Sequence, residues 1–204
     1  WIGAGLPGTT DRDKHGAKQH RRGPWPTVHG GAVGLARPLF RHVNTIRRQE
    51  PADSPALHQV YSQPKVIFGT LQLPHPSLHL WNTRGADEPK NTIRLVACAD
   101  ERPVGNLAIW TMPSPRRRHA GEVAMAVHDN WQGKGSGTLI MQAALRLADK
   151  WMDLSRVELQ VFTDNKPAIA LYERCGFEIE GTLKSYAFRD GAYADVYAMA
   201  RLRK

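Results

Sequence analysis

With 204 residues and a net charge of +9, the chain is long enough for one domain with a proper core, and its 41% apolar content is that of an ordinary globular protein. No apolar run approaches the roughly 18 residues of a membrane span, the first residues lack the apolar stretch of a secretory signal, and two cysteines, Cys98 and Cys175, exclude a disulfide framework, so a reduced, cytoplasmic protein is expected. Residues 1–43 carry 7 Lys/Arg against 2 Asp/Glu and residues 44–204 carry 21 against 17, so over half of the excess charge sits in the first fifth of the chain and a nucleic-acid partner is disfavoured for the rest.

Residues 1–43 also hold 8 of the 18 glycines and 4 of the 9 histidines, with no sustained helix or strand period. They are expected to be disordered or outside the native domain. The chain begins at Trp1 rather than Met. A translated upstream stretch is preferred over a basic arm for RNA or membranes, since a Gly/Arg/His composition needs no function to explain it.

From residue 44 the pattern becomes orderly, and 44–204 reads as the folded domain. NTIRRQE (44–50) is a short strand. PADSPALHQVYSQ (51–63) suits a helix with Leu57, Val60 and Tyr61 on one face. LPHPSLHLWNTR (73–84) holds a helix after Pro76. TIRLVACAD (92–100) and PVGNLAIWTM (103–112) are strands joined by a tight turn, and HAGEVAMAVHD (119–129) is a third. TLIMQAALRLADKWMDL (138–154) places polar residues at helical spacing and leaves a broad apolar face. RVELQVF (156–162) alternates as a strand. DNKPAIALYERCGF (164–177) is a helix that Asp164 or Asn165 can cap, with Pro167 in its first turn and Gly176 at its end. FEIEGTLKSYAF and AYADVYAMARL form a hairpin across Asp190-Gly191. The order predicts an α/β domain of the α+β type: a mixed, largely antiparallel sheet of about six to seven strands flanked by about four helices.

Between the third strand and its helix lies NWQGKGSGTLI (130–140). It is not a Walker loop: the glycine required five residues before Gly133 is His128, and Gly135 follows Lys134 where Ser or Thr is needed. It is not a dinucleotide fingerprint either, since nothing suitable follows Gly137. What remains is Gln132-Gly133-x-Gly135-x-Gly137 at a strand-to-helix junction. Glycines allow positive φ and close backbone approach, and N–H groups at a helix start can face an anion. Lys134 adds a cation. The bland reading is a plain Gly-rich turn.

The segment VAMAVHDNWQGKGSG resembles motif A of the GNAT acetyltransferases, whose loop binds the pyrophosphate of coenzyme A. DNKPAIALYERCGF resembles the next GNAT motif, with Asn165 and Tyr172 seven residues apart and so on one helical face. LQLPHPSLHLW, RLVACAD, YERCGFEIEGT and YAFRDGAYADVYAMAR resemble the bacterial L-amino-acid N-acetyltransferase branch over residues 45–204. Residues 1–43 have no counterpart in it.

The resemblance implies acetyl transfer from acetyl-CoA, as co-substrate and without a metal, to the primary amine of a small molecule, most simply the α-amine of an L-amino acid. It implies Tyr172 as general acid toward the departing thiolate. It implies acetyl-CoA contacts from Met125, Ala126 and Val127, whose backbone N–H groups are candidates for the oxyanion, from Gln132, Gly133, Lys134, Gly135, Ser136, Gly137 and Thr138, and from Asn165 and Ala168. Glu122 can serve as base directly or through a water, although a solvated strand glutamate fits equally and a bulge would alter its facing. Asp129 reads as a turn residue. His75, His79 and Trp81 lie near the expected acceptor side, where packing around the prolines is the preferred reading. Arg116, Arg117 and Arg118 can meet a phosphate or a carboxylate, or form a solvated face. Other acceptors fit the same chemistry: a protein N-terminus, an aminoglycoside or an amino-acid-like toxin. A nucleic-acid-binding protein using the basic arm, or a non-catalytic coenzyme A sensor, is the alternative of another class. A homodimer through the C-terminal hairpin is compatible with the sequence.

Overall fold

The computed structural model describes Val43 and residues 45–86 and 91–203; the expectations for residues 1–42 and for Asn44 lie outside them. The elements are β1 (Thr45–Arg48), a 3-10 turn (Pro51–Asp53), α1 (Ser54–Tyr61), α2 (Pro64–Gly69), α3 (Leu78–Ala86), β2 (Thr92–Ala99), β3 (Arg102–Thr111), β4 (Ala120–Val127), α4 (Ser136–Lys150), β5 (Arg156–Phe162), α5 (Lys166–Arg174), β6 (Glu178–Arg189) and β7 (Ala192–Leu202). Among the described residues, seven strands fall within the expected number, and five helices stand where about four were expected.

The extra helix comes from a break at Pro64. Gln63 is extended, as a residue before proline prefers, and Pro64 opens α2 as its first residue. The predicted helix over 51–63 starts instead as a 3-10 turn. There the Glu50 N–H donates to Asp53 at 2.8 Å, and Asp53 pairs with Arg47 at 2.7 Å. α4 begins two residues earlier than expected, because Gly135 caps it from the left-handed region. It stops at Lys150, and the chain then turns through Asp153 at φ 49° to bury Leu154.

The sheet order is β1-β2-β3-β4-β5-β7-β6. Every pair is antiparallel except β4–β5. One face carries the main core: Leu95, Leu107, Ile109 and Val123 lie under Ile140, Met141, Ala144 and Ala148 of α4, and the cluster continues through Val157, Leu159, Phe177 and Met199 to α5. Fully burying a side chain of this size contributes about 1.5–3 kcal/mol. The other face is covered by the predicted stripe of α1: Leu57 packs on Val96 and Cys98, and Val60 and Tyr61 pack with Val66 and Ala126.

One irregularity positions the site. β4 and β5 pair only at Ala120↔Arg156, Gly121↔Val157 and Glu122↔Glu158. β4 nevertheless runs on to Val127, still paired with β3 at Gly105, and β5 runs on to Phe162, still paired with β7. Beyond the third rung the two strands part and leave a wedge open to ligand.

Candidate active site

A cleft of about 700 Å³ occupies the wedge. β4 supplies Glu122 to Val127, β5 supplies Gln160 and Val161, α5 supplies Leu171 and Tyr172, and α1 and α2 close the side with Tyr61, Val66 and Phe68. The register of β4 on β3 has no bulge, which settles its parity. Glu122, Ala124 and Ala126 share one face, that of α1 and α2; Val123 and Met125 face α4. The ladder also fixes the backbone. His128 donates to the Val104 carbonyl at 2.8 Å, and the Ala120 carbonyl accepts from Met112 at 3.1 Å. Residues of even number therefore bond to β3; the Val123 N–H completes the last rung with β5, and the N–H groups of Met125 and Val127 point toward the parted edge. Of the three predicted oxyanion donors, Met125 and Val127 face the gap, whereas the Ala126 N–H is committed to β3.

At the far end of β4 the glycine loop is shaped by its own backbone. Gly133 and Gly135 sit at φ 70° and 84°. Gln132 donates to the Val127 carbonyl at 2.9 Å, and the buried Ser136 hydroxyl donates to the Trp131 carbonyl at 3.2 Å. Lys134 lies 5.7 Å above the Trp131 ring, and Asp129 accepts from the Lys65 N–H at 3.1 Å, tying α2 to the loop. Helix geometry leaves the N–H groups of Ser136, Gly137 and Thr138 without intrahelical partners. Gln132, Gly133 and Gly137 line the cleft, whereas Lys134, Gly135, Ser136 and Thr138, of the same loop and helix start, lie outside its lining. A Cβ on Gly137 would stand 2.7 Å from Cδ1 of Leu171, so the end of that side chain would have to move to admit one.

On α5 the Asn165 side chain caps the helix by accepting from the Ala168 N–H at 3.3 Å. Asn165, Ala168 and Tyr172 all line the cleft. Burial, with the Cys175 thiol adding to it, pushes the Tyr172 phenol up to about 12, so it is held as an O–H donor at neutral pH. Glu122 is partly buried on the opposite side. Burial first, then the negative charge of Glu158, push its carboxyl up to about 7, against a smaller opposing effect of Arg117. A solvated strand glutamate would not be shifted in this way.

His75 and His79 are exposed and outside the cleft; it is His58 whose ring nitrogen meets the Pro76 carbonyl, at 2.7 Å. Trp81 stacks on Tyr61 with centroids 4.5 Å apart. Arg116 to Arg118 precede β4 and so lie at the other end of the strand from the glycine loop; Arg117 pairs with Glu158 at 2.6 Å. Sequence reasoning passed over Phe68, Gln160 and Arg189, all of which line the cleft. Arg189 lies 3.8 Å from the Phe68 ring centroid and 4.3 Å from that of Phe162, and pairs with Asp164.

The model of the GNAT acetyltransferase family matches residues 55–177. The chain belongs to the GNAT family. This GNAT chain is 44% identical over 158 residues to the L-amino acid N-acetyltransferase AaaT of Escherichia coli, covering 78% of the chain and 97% of AaaT. It is 26% identical to the spermidine N(1)-acetyltransferase of Vibrio cholerae, over 76% of the chain and 90% of that protein. Among solved structures, a GNAT acetyltransferase from Streptococcus pneumoniae superposes with a TM-score of 0.65 at 28% identity, covering 78% of this chain and 98% of that one. The Vibrio cholerae spermidine N-acetyltransferase in complex with CoA and spermine superposes with a TM-score of 0.67 at 26% identity, covering 78% and 94%. The GNAT chain is thus an acetyltransferase.

Proposed function

We propose that this GNAT enzyme transfers the acetyl group of acetyl-CoA to the α-amine of an L-amino acid. The observation that carries the reading is the pairing, in one cleft, of a carboxyl that titrates near neutrality with a phenol that stays protonated. The likeness to an L-amino acid N-acetyltransferase over almost its whole length supports the acceptor. So does the largely apolar side wall of Tyr61, Val66 and Phe68, which suits a small zwitterion with an apolar side chain better than a polycationic aminoglycoside.

Glu122 takes a proton from the ammonium, directly or through a water, and frees the nitrogen lone pair. The nitrogen attacks the thioester carbonyl, forming the C–N bond. The oxyanion is met by a backbone N–H at the parted edge, that of Met125 or that of Val127. The C–S bond then breaks, Tyr172 donates its proton to the sulfur, and the second proton lost by the acylated nitrogen restores the phenol, directly or through a water. With the phenol at about 12 and a free thiol near 8.5, the donation is less favourable than for an ordinary tyrosine. Tyr172 therefore acts mainly as a hydrogen-bond donor until charge has built up on the sulfur. The loop glycines, Ser136 and Thr138 offer N–H groups to the pyrophosphate.

Thiol release from acetyl-CoA, followed against L-amino acids, aminoglycosides, polyamines and short peptides, tests the acceptor. Turnover is expected on L-amino acids, and turnover confined to any other class overturns the reading. Tyr172→Phe is expected to lower kcat by about 10²-fold with little change in KM; an unchanged kcat removes Tyr172 as the acid. Cys98 and Cys175 are unpaired, in keeping with a reducing cytoplasm. A homodimer through the hairpin is supported by Phe188 and Tyr193, which are 67% and 71% exposed beside the sheet edge; a monomer in sedimentation equilibrium would remove it.

A further inference from the structure

Glu122 and Glu158 are cross-strand partners on the last rung before β4 and β5 part. Like charges at that separation repel, and only one of the two is compensated. Glu158 accepts from Arg156 and, at 2.6 Å, from Arg117. Arg156 in turn forms two hydrogen bonds to Glu180 on β6. The chain Glu180–Arg156–Glu158–Arg117 therefore ties β6, β5 and the turn before β4 together and, against the cost of burial, holds the Glu158 carboxyl below its ordinary value. Two neighbouring carboxyls in environments that drive them apart mark an assignment of roles: one fixed as the anion, the other left to carry the proton.

Among the described residues, the charged and titratable groups around Glu122 are few. β5 presents Glu158. β6 presents Tyr186, whose phenol is raised by burial and then by Glu122. The turn before β4 presents Arg117. On β3 the facing residue is Trp110, which is uncharged. Farther along the cleft, Arg189 is paired with Asp164, Tyr172 is the donor described above, and the backbone of Lys65 is held by Asp129.

We propose that Glu158 is a positioning residue for acetyl transfer: its arginine-clamped carboxylate, facing Glu122 across the same rung, sets the acidity of the proton that Glu122 takes from the acceptor amine. The proposal rests on the reading of Glu122 as the base. Arg117 has two opposing roles in it. It fixes Glu158, and its own charge favours the ionised form of Glu122.

The test is the pH dependence of kcat/KM for the full-length enzyme with its best amino-acid acceptor, together with the ¹³C-carboxyl titration of Glu122. Glu158→Gln removes the facing anion and releases Arg117 from its ion pair, while Arg156 keeps Glu180. The acidic limb of the profile and the Glu122 titration are expected to move down together by about one pH unit, a tenfold gain in relative rate on that limb. Arg117→Ala, a change at a half-exposed side chain, is expected to move both upward. Glu122→Gln is expected to abolish the limb. If Glu122→Gln keeps the limb, Glu122 is not the base and the underlying reading fails. If Glu122→Gln abolishes it while Glu158→Gln and Arg117→Ala both leave it in place, Glu122 stands and the role of Glu158 is overturned.

Discussion

At the scale of single residues, the placing of Glu122 has a cost that folding must meet. Its folded-state value of about 7 lies above the ordinary 4.5. Between those values the native state holds a proton that the unfolded chain has lost, so this group's contribution to stability falls as pH rises from about 4.5 to about 7 and is level above. Glu122→Gln is therefore expected to raise Tm at pH 8, where the buried anion is removed, and to leave it nearly unchanged at pH 5; equal shifts at both values in differential scanning fluorimetry would contradict the assignment. Asn165→Ala removes the cap of α5 and is expected to cost about 1 kcal/mol in urea unfolding. Much of this scale could be read from the sequence. The spacing of Asn165 and Tyr172 follows from helical geometry, and both reach the cleft. The facing of Glu122 was not legible, because strand parity depends on whether a bulge intervenes and nothing in AGEVAMAV reports one. Gln160 and Arg189 were not legible either, since their place in the cleft comes from pairings with strands distant in sequence.

At the scale of elements, glycines set how closely strands and helices approach. A Cβ on Gly105 would stand 2.8 Å from the Ala126 carbonyl oxygen, which is backbone and cannot swing away. Gly105→Ala is expected to destabilise the fold by about 1–3 kcal/mol and to weaken acetyl transfer by displacing the adjacent N–H groups of Met125 and Val127. Gly135→Ala meets no neighbour but must hold φ near 84°. It is expected to cost about 1–2 kcal/mol, with the loss appearing in acetyl-CoA affinity by calorimetry as the start of α4 shifts. The long, strongly periodic elements α4, β5 and the C-terminal hairpin were the legible ones. α2 was not, because six residues span less than two turns and show no period. The start of α4 was misjudged for a related reason: Gly135 belongs to the loop and to the helix cap at once.

At the scale of the whole molecule, Arg189 joins parts that the sequence keeps far apart. It donates to the Phe68 carbonyl of α2 at 3.0 Å and pairs with Asp164 at the start of α5, while its own strand ends in the hairpin. Arg189→Ala is expected to speed hydrogen exchange in residues 64–69 and to raise KM for the acceptor more than it lowers kcat. The order of the elements was evident from the sequence, but the strand order was not, because a single parallel contact between β4 and β5 leaves no local trace. That contact has a mechanical side. Three rungs are all the strand pairing that joins β1–β4 to β5, β7 and β6, so the ligand cleft opens where the sheet is held by the fewest strand hydrogen bonds. Without ligand, native-state hydrogen exchange is expected to show the C-terminal strands opening at lower free energy than the first four. A substrate bound across both sides links the two openings, so saturating acetyl-CoA is expected to merge them into one cooperative transition.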